Sequence, residues 1–215
     1  MRLTNGVERM VDLPLGSEHK FLGRRVIYTS REQINEFTIP AIINGAMERH
    51  LVNRRETEYL YRYFKGDQPI LNRIKLIRPD VNNRIVINNA FSTVRNANGY
   101  FLGEPIQYTA KSAKDSEDVV QLNAFMDSEN KAYEDMKLGN DMSIGGRGFR
   151  LISVDEAEEA DEAAFEIPTL EPNCTEVVYS TKVGHAPVLA FTYSRLLNDD
   201  GSVVGITYTC LLYTS

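Results

Sequence analysis

The hydrophobic pattern of this chain changes period once, and that change restricts what it can fold into. Ile39, Ile42, Ile43, Ala46, Met47, His50 and Leu51 recur at the spacing of one helix face. The run continues through Tyr59, Leu60, Tyr63 and Phe64 and meets Gly66, a residue suited to ending a helix. Pro40 fits the first helical turn, where its missing N–H removes no hydrogen bond. From Phe149 onward the period is two, and residues 149–154, 164–167, 177–179, 188–193 and 203–208 read as strands. Asn198-Asp199-Asp200-Gly201 supplies a hairpin turn between the last two. A helical first two-thirds and a β-rich last third make an α+β fold.

Lesser signals fill the gaps. Residues 1–30 form an arm whose end, 20–29, reads as a short strand through Val26, Ile27 and Tyr28. Ser30 and Gln33 stand at capping-box spacing and predict a helix from Arg31. Asn82-Asn83 is placed to cap a helix through Ala90, Phe91, Val94 and Ala97 that closes at Gly99. Residues 100–108, split by Gly103 and Pro105, read as bent and extended. Residues 116–138 return to helix with a break at Asp127-Ser128, and 145–148 form the turn into the strands. An amphipathic helix gains most of its stability from tertiary packing. The face carrying Ile39, Ile42, Ile43 and Met47 is therefore read as a packing or interface surface.

Charge and chemistry exclude several functions. Residues 1–110 carry 16 Lys/Arg against 11 Asp/Glu, and 111–215 carry 8 against 19. A tight nonspecific nucleic-acid binder draws its affinity from a net basic face, which a chain of net charge −6 does not supply in bulk. No apolar run reaches membrane-spanning length. Residues 1–16 lack the apolar core of a signal peptide, so synthesis in the cytosol is expected. Cys174 and Cys210 have no partner at ligand spacing and read as small buried apolar groups.

Gly145-Gly146-Arg147-Gly148 lacks the ending of a phosphate loop and sits after a helix, the wrong end for an anion. His50 lies on the apolar helix face and reads as a satisfied core or interface histidine. The acidic run 155–162 lacks the pattern of a calcium loop and reads as a solvated hairpin tip. Arg49, Arg54, Arg55 and Arg62 alternate with Glu48, Glu56 and Glu58, giving a mixed, ion-paired surface, with Glu58 and Arg62 an i,i+4 pair. No catalytic residue, metal ligand or cofactor site is expected.

Several short segments, taken in order, resemble a known family. Tyr61-Arg62-Tyr63-Phe64-Lys65-Gly66, then Asn82-Asn83-Arg84-Ile85, then Gly99-Tyr100-Phe101-Leu102-Gly103-Glu104-Pro105 are similar to the N-terminal signature of bacteriophage portal proteins of the long-tailed siphophage type, the head–tail connectors. Ser143-Ile144-Gly145-Gly146, Pro172 before Val177-Val178-Tyr179, and Pro187-Val188-Leu189-Ala190-Phe191 fit the same family's β region. The resemblance marks Tyr63, Gly66, Asn83, Arg84, Gly99, Tyr100, Gly103 and Pro105 as motif residues. Gly99 and Gly103 are expected to permit tight turns, and Pro105 to stiffen the exit.

The resemblance implies a structural subunit without enzymatic activity, made in the host bacterial cytoplasm and resident in the virion at the portal vertex. Its implied partners are other copies in a dodecameric ring, major capsid and scaffolding proteins, the terminase large subunit and head-completion proteins. Double-stranded DNA would pass through the channel in packaging and ejection without sequence-specific binding. Residues 31–209 then correspond to an incomplete wing-like region that stops before stem and clip, and 210–215 are expected to be a non-native, adaptor-derived tail. Two alternatives are another phage head or adaptor protein, which would lack the long helices of a channel, and an enzyme with a dispersed site, which would need a pocket of convergent acid–base groups.

Overall fold

The computed structural model describes residues 26–31, 34–112, 116–154, 165–198 and 203–212. Its longest helix, α1 (Ile39–Phe64), carries Pro40 in the first turn. Its buried residues, Ile42, Ile43, Ala46, His50, Asn53 and Thr57, form one stripe at helical spacing. The stripe is apolar in its first half and polar in its second. Ile39 and Met47 pack half-buried against the apolar part, whereas Leu51 turns outward at 45% exposure.

Both ends of α1 are determined locally. The helix expected from Arg31 is replaced by a turn over 35–38. There the Asn35 side chain accepts from the N–H groups of Phe37 and Thr38, at 3.1 and 3.0 Å, a local bond that competes with helix. Gln33, half of the predicted capping box, lies outside the described residues. At the other end Gly66 takes φ +94°. Its N–H donates to Tyr63 and that of Asp67 donates to Arg62, the paired bonds of a Schellman cap.

The main sheet has the order β1-β6-β7-β8. β1 (Ile27–Thr29) runs parallel to β6 (Thr175–Ser180), which pairs antiparallel with β7 (Pro187–Leu197), itself antiparallel to β8 (Val203–Leu212). Residues two apart on a strand share a face, and Leu189, Phe191 and Tyr193 of β7 point together into the core. There they meet Ile27, Val178, Ile42, Ile43 and Ala46. Burying side chains of this size contributes about 1.5–3 kcal/mol each. Cys174 and Cys210 are half-buried at the edge of this cluster, not fully enclosed as expected. Burial pushes both thiols above their ordinary pKa. The predicted turn at 198–201 falls largely outside the described residues, though the strands flanking it pair as a hairpin.

Three helices and a ribbon stand beside this core. α2 (Asn89–Leu102) is capped by Asn88, whose side chain accepts from Phe91 N–H at 3.1 Å. The Asn88 amide also donates to the Phe64 carbonyl at 2.7 Å, joining the start of α2 to the end of α1. The cap expected at Asn82-Asn83 is corrected accordingly: Asn82 donates to the Arg73 carbonyl, 2.9 Å away.

The expected stop at Gly99 is also corrected. Asn98 donates to Asn140 at 2.7 Å and accepts from Ser143 at 2.9 Å, and this docking on α4 (Lys131–Gly145) carries the helix past the glycine to Leu102. Residues 100–102 are therefore helical, and the irregular stretch begins at 103 and runs through 112. Gly139 lets α4 approach closely, since a Cβ there would collide with Leu102. α3 (Ser116–Ser128) ends at the predicted break, and α4 closes in a left-handed Gly146 at φ +73°.

The strand predicted over 149–154 divides into β2 (Phe149–Arg150) and β3 (Ser153–Val154), which pair with β5 (Thr169–Leu170) and β4 (Phe165–Glu166). The acidic run 155–162 connects β3 and β4 but lies outside the described residues.

Candidate functional site

The polar half of the α1 stripe ends in a buried network centred on Glu176, in which Arg147 Nε and Nη2 have no hydrogen-bond partner. His50 is fully buried. Its Nδ1 lies 3.2 Å from Glu176 Oε2 and its Nε2 lies 3.1 Å from the Tyr193 hydroxyl. Asn53 donates to the same Glu176 oxygen at 3.2 Å. Arg147, from the turn after α4, donates to Glu176 Oε1 at 2.6 Å. Arg54 donates to the Tyr193 hydroxyl at 3.2 Å and to Glu58 at 2.7 Å. The predicted Glu58–Arg62 pair is thus replaced, since Glu58 takes Arg54 and Arg62 reaches across to Asp67. The Tyr193 hydroxyl donates to the Asn173 carbonyl at 3.2 Å, and burial raises its pKa.

Acid–base chemistry needs a group that a substrate can reach. Here both ring nitrogens of His50 and both oxygens of Glu176 are occupied, and Glu176 is 4% exposed. The arrangement ties α1, β6, β7 and the α4–β2 turn together.

A second polar group fastens α4 to the ribbon. Asp135 accepts from Lys131 and, at 2.6 Å, from Arg150. Burial alone would raise the Asp135 carboxyl, but these two bonds outweigh it and hold the pKa below the ordinary value. Glu134 behaves likewise: its desolvation is outweighed by the Thr169 N–H, 2.6 Å away. Tyr61 donates to Asp141, and burial pushes both groups upward. A shallow depression between residues 105–107, α3 and the start of α4 is open to solvent. Among the described residues no three His, Cys, Asp or Glu side chains gather as metal ligands.

The surface is less settled than the interior. Between the short 3-10 helix Pro69–Asn72 and α2, the chain exposes Ile74, Leu76, Ile77, Ile85 and Ile87, with Leu76 at 93%. Tyr100 and Phe101 at the end of α2 stand out at 96% and 77%. Large apolar surface left contiguous and bare marks a site of association.

The family model described as "Phage portal protein, SPP1 Gp6-like" matches residues 47–211, most of the chain. The chain belongs to the phage portal protein family. Membership carries a structural role in the portal at the capsid vertex, and the family is not an enzyme family. No curated protein matches the sequence. No helix among the described residues is long and apolar enough to cross a membrane.

Within the portal match, the motif residues fall in four places. Tyr63, half-buried, and Gly66 form the cap of α1, Gly66 being the motif glycine with a positive φ. Asn83 and Arg84 lie exposed in the apolar segment before α2. Gly99 and Tyr100 are in α2. Gly103 ends that helix in a right-handed conformation, where a Cβ would collide with the Gly99 carbonyl. Pro105 borders the shallow depression. The structure thus does not gather the eight into one site. Ile42 and Ile43 are buried within the chain's own core, as are, in part, Ile39 and Met47. Residues 210–212 continue β8 opposite 189–191.

Glu176, Arg147 and Tyr193 were not singled out by their spacing. One signal for them existed. Asn53 and Thr57 prolong the apolar face of α1 past His50 with polar side chains, and a polar stripe on a buried face requires partners.

Proposed function

We propose that this chain is a structural subunit of the portal ring at the phage capsid vertex, the conduit for double-stranded DNA in packaging and ejection and the connector between head and tail. The portal family match carries this reading. The bare aliphatic surface of residues 74–87, beside a core that the chain's own elements enclose, supports it. A conduit must let phosphates slide past, and a chain of net charge −6 offers them no strong grip.

In this reading the bare surface is covered by further copies and by capsid protein, while the terminase and head-completion proteins dock on other parts of the portal. Light scattering and negative-stain microscopy of the purified chain test the ring. Closed rings are the expected result, with twelve copies as the expected number. A chain that stays monomeric under packaging conditions would count against the proposal.

A further inference from the structure

We infer that residues 73–87 of one copy dock on the outer face of α3 of the next, a head-to-tail contact between two unlike surfaces. The inference rests on the ring reading and names the surfaces that would close it.

The first surface is basic and aliphatic. Arg73, Lys75, Arg78 and Arg84 surround the exposed Ile74, Leu76, Ile77, Ile85 and Ile87, with Asp80 the only acidic residue. The segment is braced on itself. Lys75 donates to the Val81 carbonyl at 2.8 Å and Asn82 donates to the Arg73 carbonyl at 2.9 Å. Among the described residues none of its four cations takes part in an ion pair.

The second surface has the opposite sign. α3 carries Glu117, Asp118 and Asp127, no Lys or Arg, and no buried residue. Its inner face, Val119, Leu122, Asn123, Phe125 and Met126, is half-buried, while Glu117, Val120, Gln121, Ala124, Asp127 and Ser128 form an exposed face. None of its carboxylates is paired among the described residues.

The two surfaces match in sign and in kind. Glu117 and Asp127 are separated by about 15 Å along the helix. Between the carboxylates lie Val120, 67% exposed, and Ala124, an apolar floor for Ile74, Leu76 and Ile77. A ring needs such a heterologous pair, because each subunit presents one face to the neighbour on its left and another to the neighbour on its right. Two copies of the basic segment meeting each other would set four cations against four. Duplex DNA would satisfy those cations but leave five aliphatic side chains without a partner, since nucleic-acid contacts are dominated by phosphate and sugar.

Charge reversal tests the pairing. One variant carries Arg73→Glu, Arg78→Glu and Arg84→Glu; the other carries Glu117→Lys and Asp127→Lys. Each alone should weaken assembly by about tenfold or more, since like charges then face each other. An equimolar mixture should recover rings, because each variant's altered face meets the other's. Melting curves check that both remain folded, and a misfolded variant could not be rescued by mixing.

Wild-type rings with either reversed variant assembling normally would overturn this pairing and leave the ring reading intact. Folded variants that fail to recover on mixing would also overturn it. A wild-type chain that never assembles would overturn both. If the triple reversal instead abolished retention of a duplex DNA fragment and left assembly unchanged, the segment would belong to nucleic acid.

Discussion

The α1–sheet core and the segment leading into α2 hold similar side chains in opposite situations. In the core, Val178, Leu189 and Phe191 are buried against Ile42 and Ile43, and the neighbouring polar groups of His50, Asn53 and Glu176 are all bonded. In the segment, Ile74, Leu76, Ile77, Ile85 and Ile87 face solvent. Exposing an aliphatic side chain forfeits about 1.5–3 kcal/mol relative to burying it. The first region is enclosed by the chain's own elements. The second has no cover among the described residues, and the proposed ring would supply it from another copy.

The largest effect expected from breaking this contrast is inside the core. Glu176→Ala removes the acceptor of Arg147, His50 and Asn53 together, and leaving buried charge unpaired costs about 3–5 kcal/mol. Urea denaturation followed by circular dichroism should show this loss; a change below about 1 kcal/mol, the level of a surface ion pair, would deny the network its role. Gly66→Ala forces an L residue into a left-handed conformation and should cost about 1–2 kcal/mol in the same assay. Asn88→Ala loses the α2 cap and the tie to Phe64, for a loss of about 1 kcal/mol.

A smaller effect concerns acid. The Asp135 carboxyl is held below its ordinary value of 3.8, so its stabilisation is complete above that pH and is lost as pH falls through the lowered folded value. Asp135→Asn should therefore flatten the stability profile below about pH 4, and an unchanged acid limb would contradict the assignment. The smallest effect on stability is expected in the segment itself. Leu76→Ser with Ile77→Ser should shift unfolding by no more than about 0.5 kcal/mol, as exposed positions do, yet reduce self-association measured by sedimentation. A large loss of stability there would mean that the segment is core after all.

Most of the helices and the main strands were legible because their signals are local. The Pro40 start, the Gly66 stop, the break at Asp127-Ser128 and the alternation through Leu189, Phe191 and Tyr193 each depend on residues a few positions apart. The misplaced boundaries have a common cause. Asn82-Asn83 and Asn88 are equally good caps by type, and only the reach from Asn88 to Phe64 across twenty-four residues separates them. Gly99 was a sound stop until Asn98 found Asn140 on α4. The polar network was half visible as a stripe on α1; its other half, Glu176 and Arg147, came from distant segments with no distinguishing spacing.

The sequence by itself determined the main elements, the α+β class and the family, since periodicity, caps and ordered short motifs are properties of neighbours along the chain. Tertiary structure alone decided which apolar faces are consumed internally and which stay bare. Ile42 and Ile77 are both large aliphatic residues, and periodicity put Ile42 on a packing face without saying whether the chain itself or a neighbour would cover it. Burial is a property of what arrives from elsewhere: a sheet came to cover one, and nothing among the described residues covers the other.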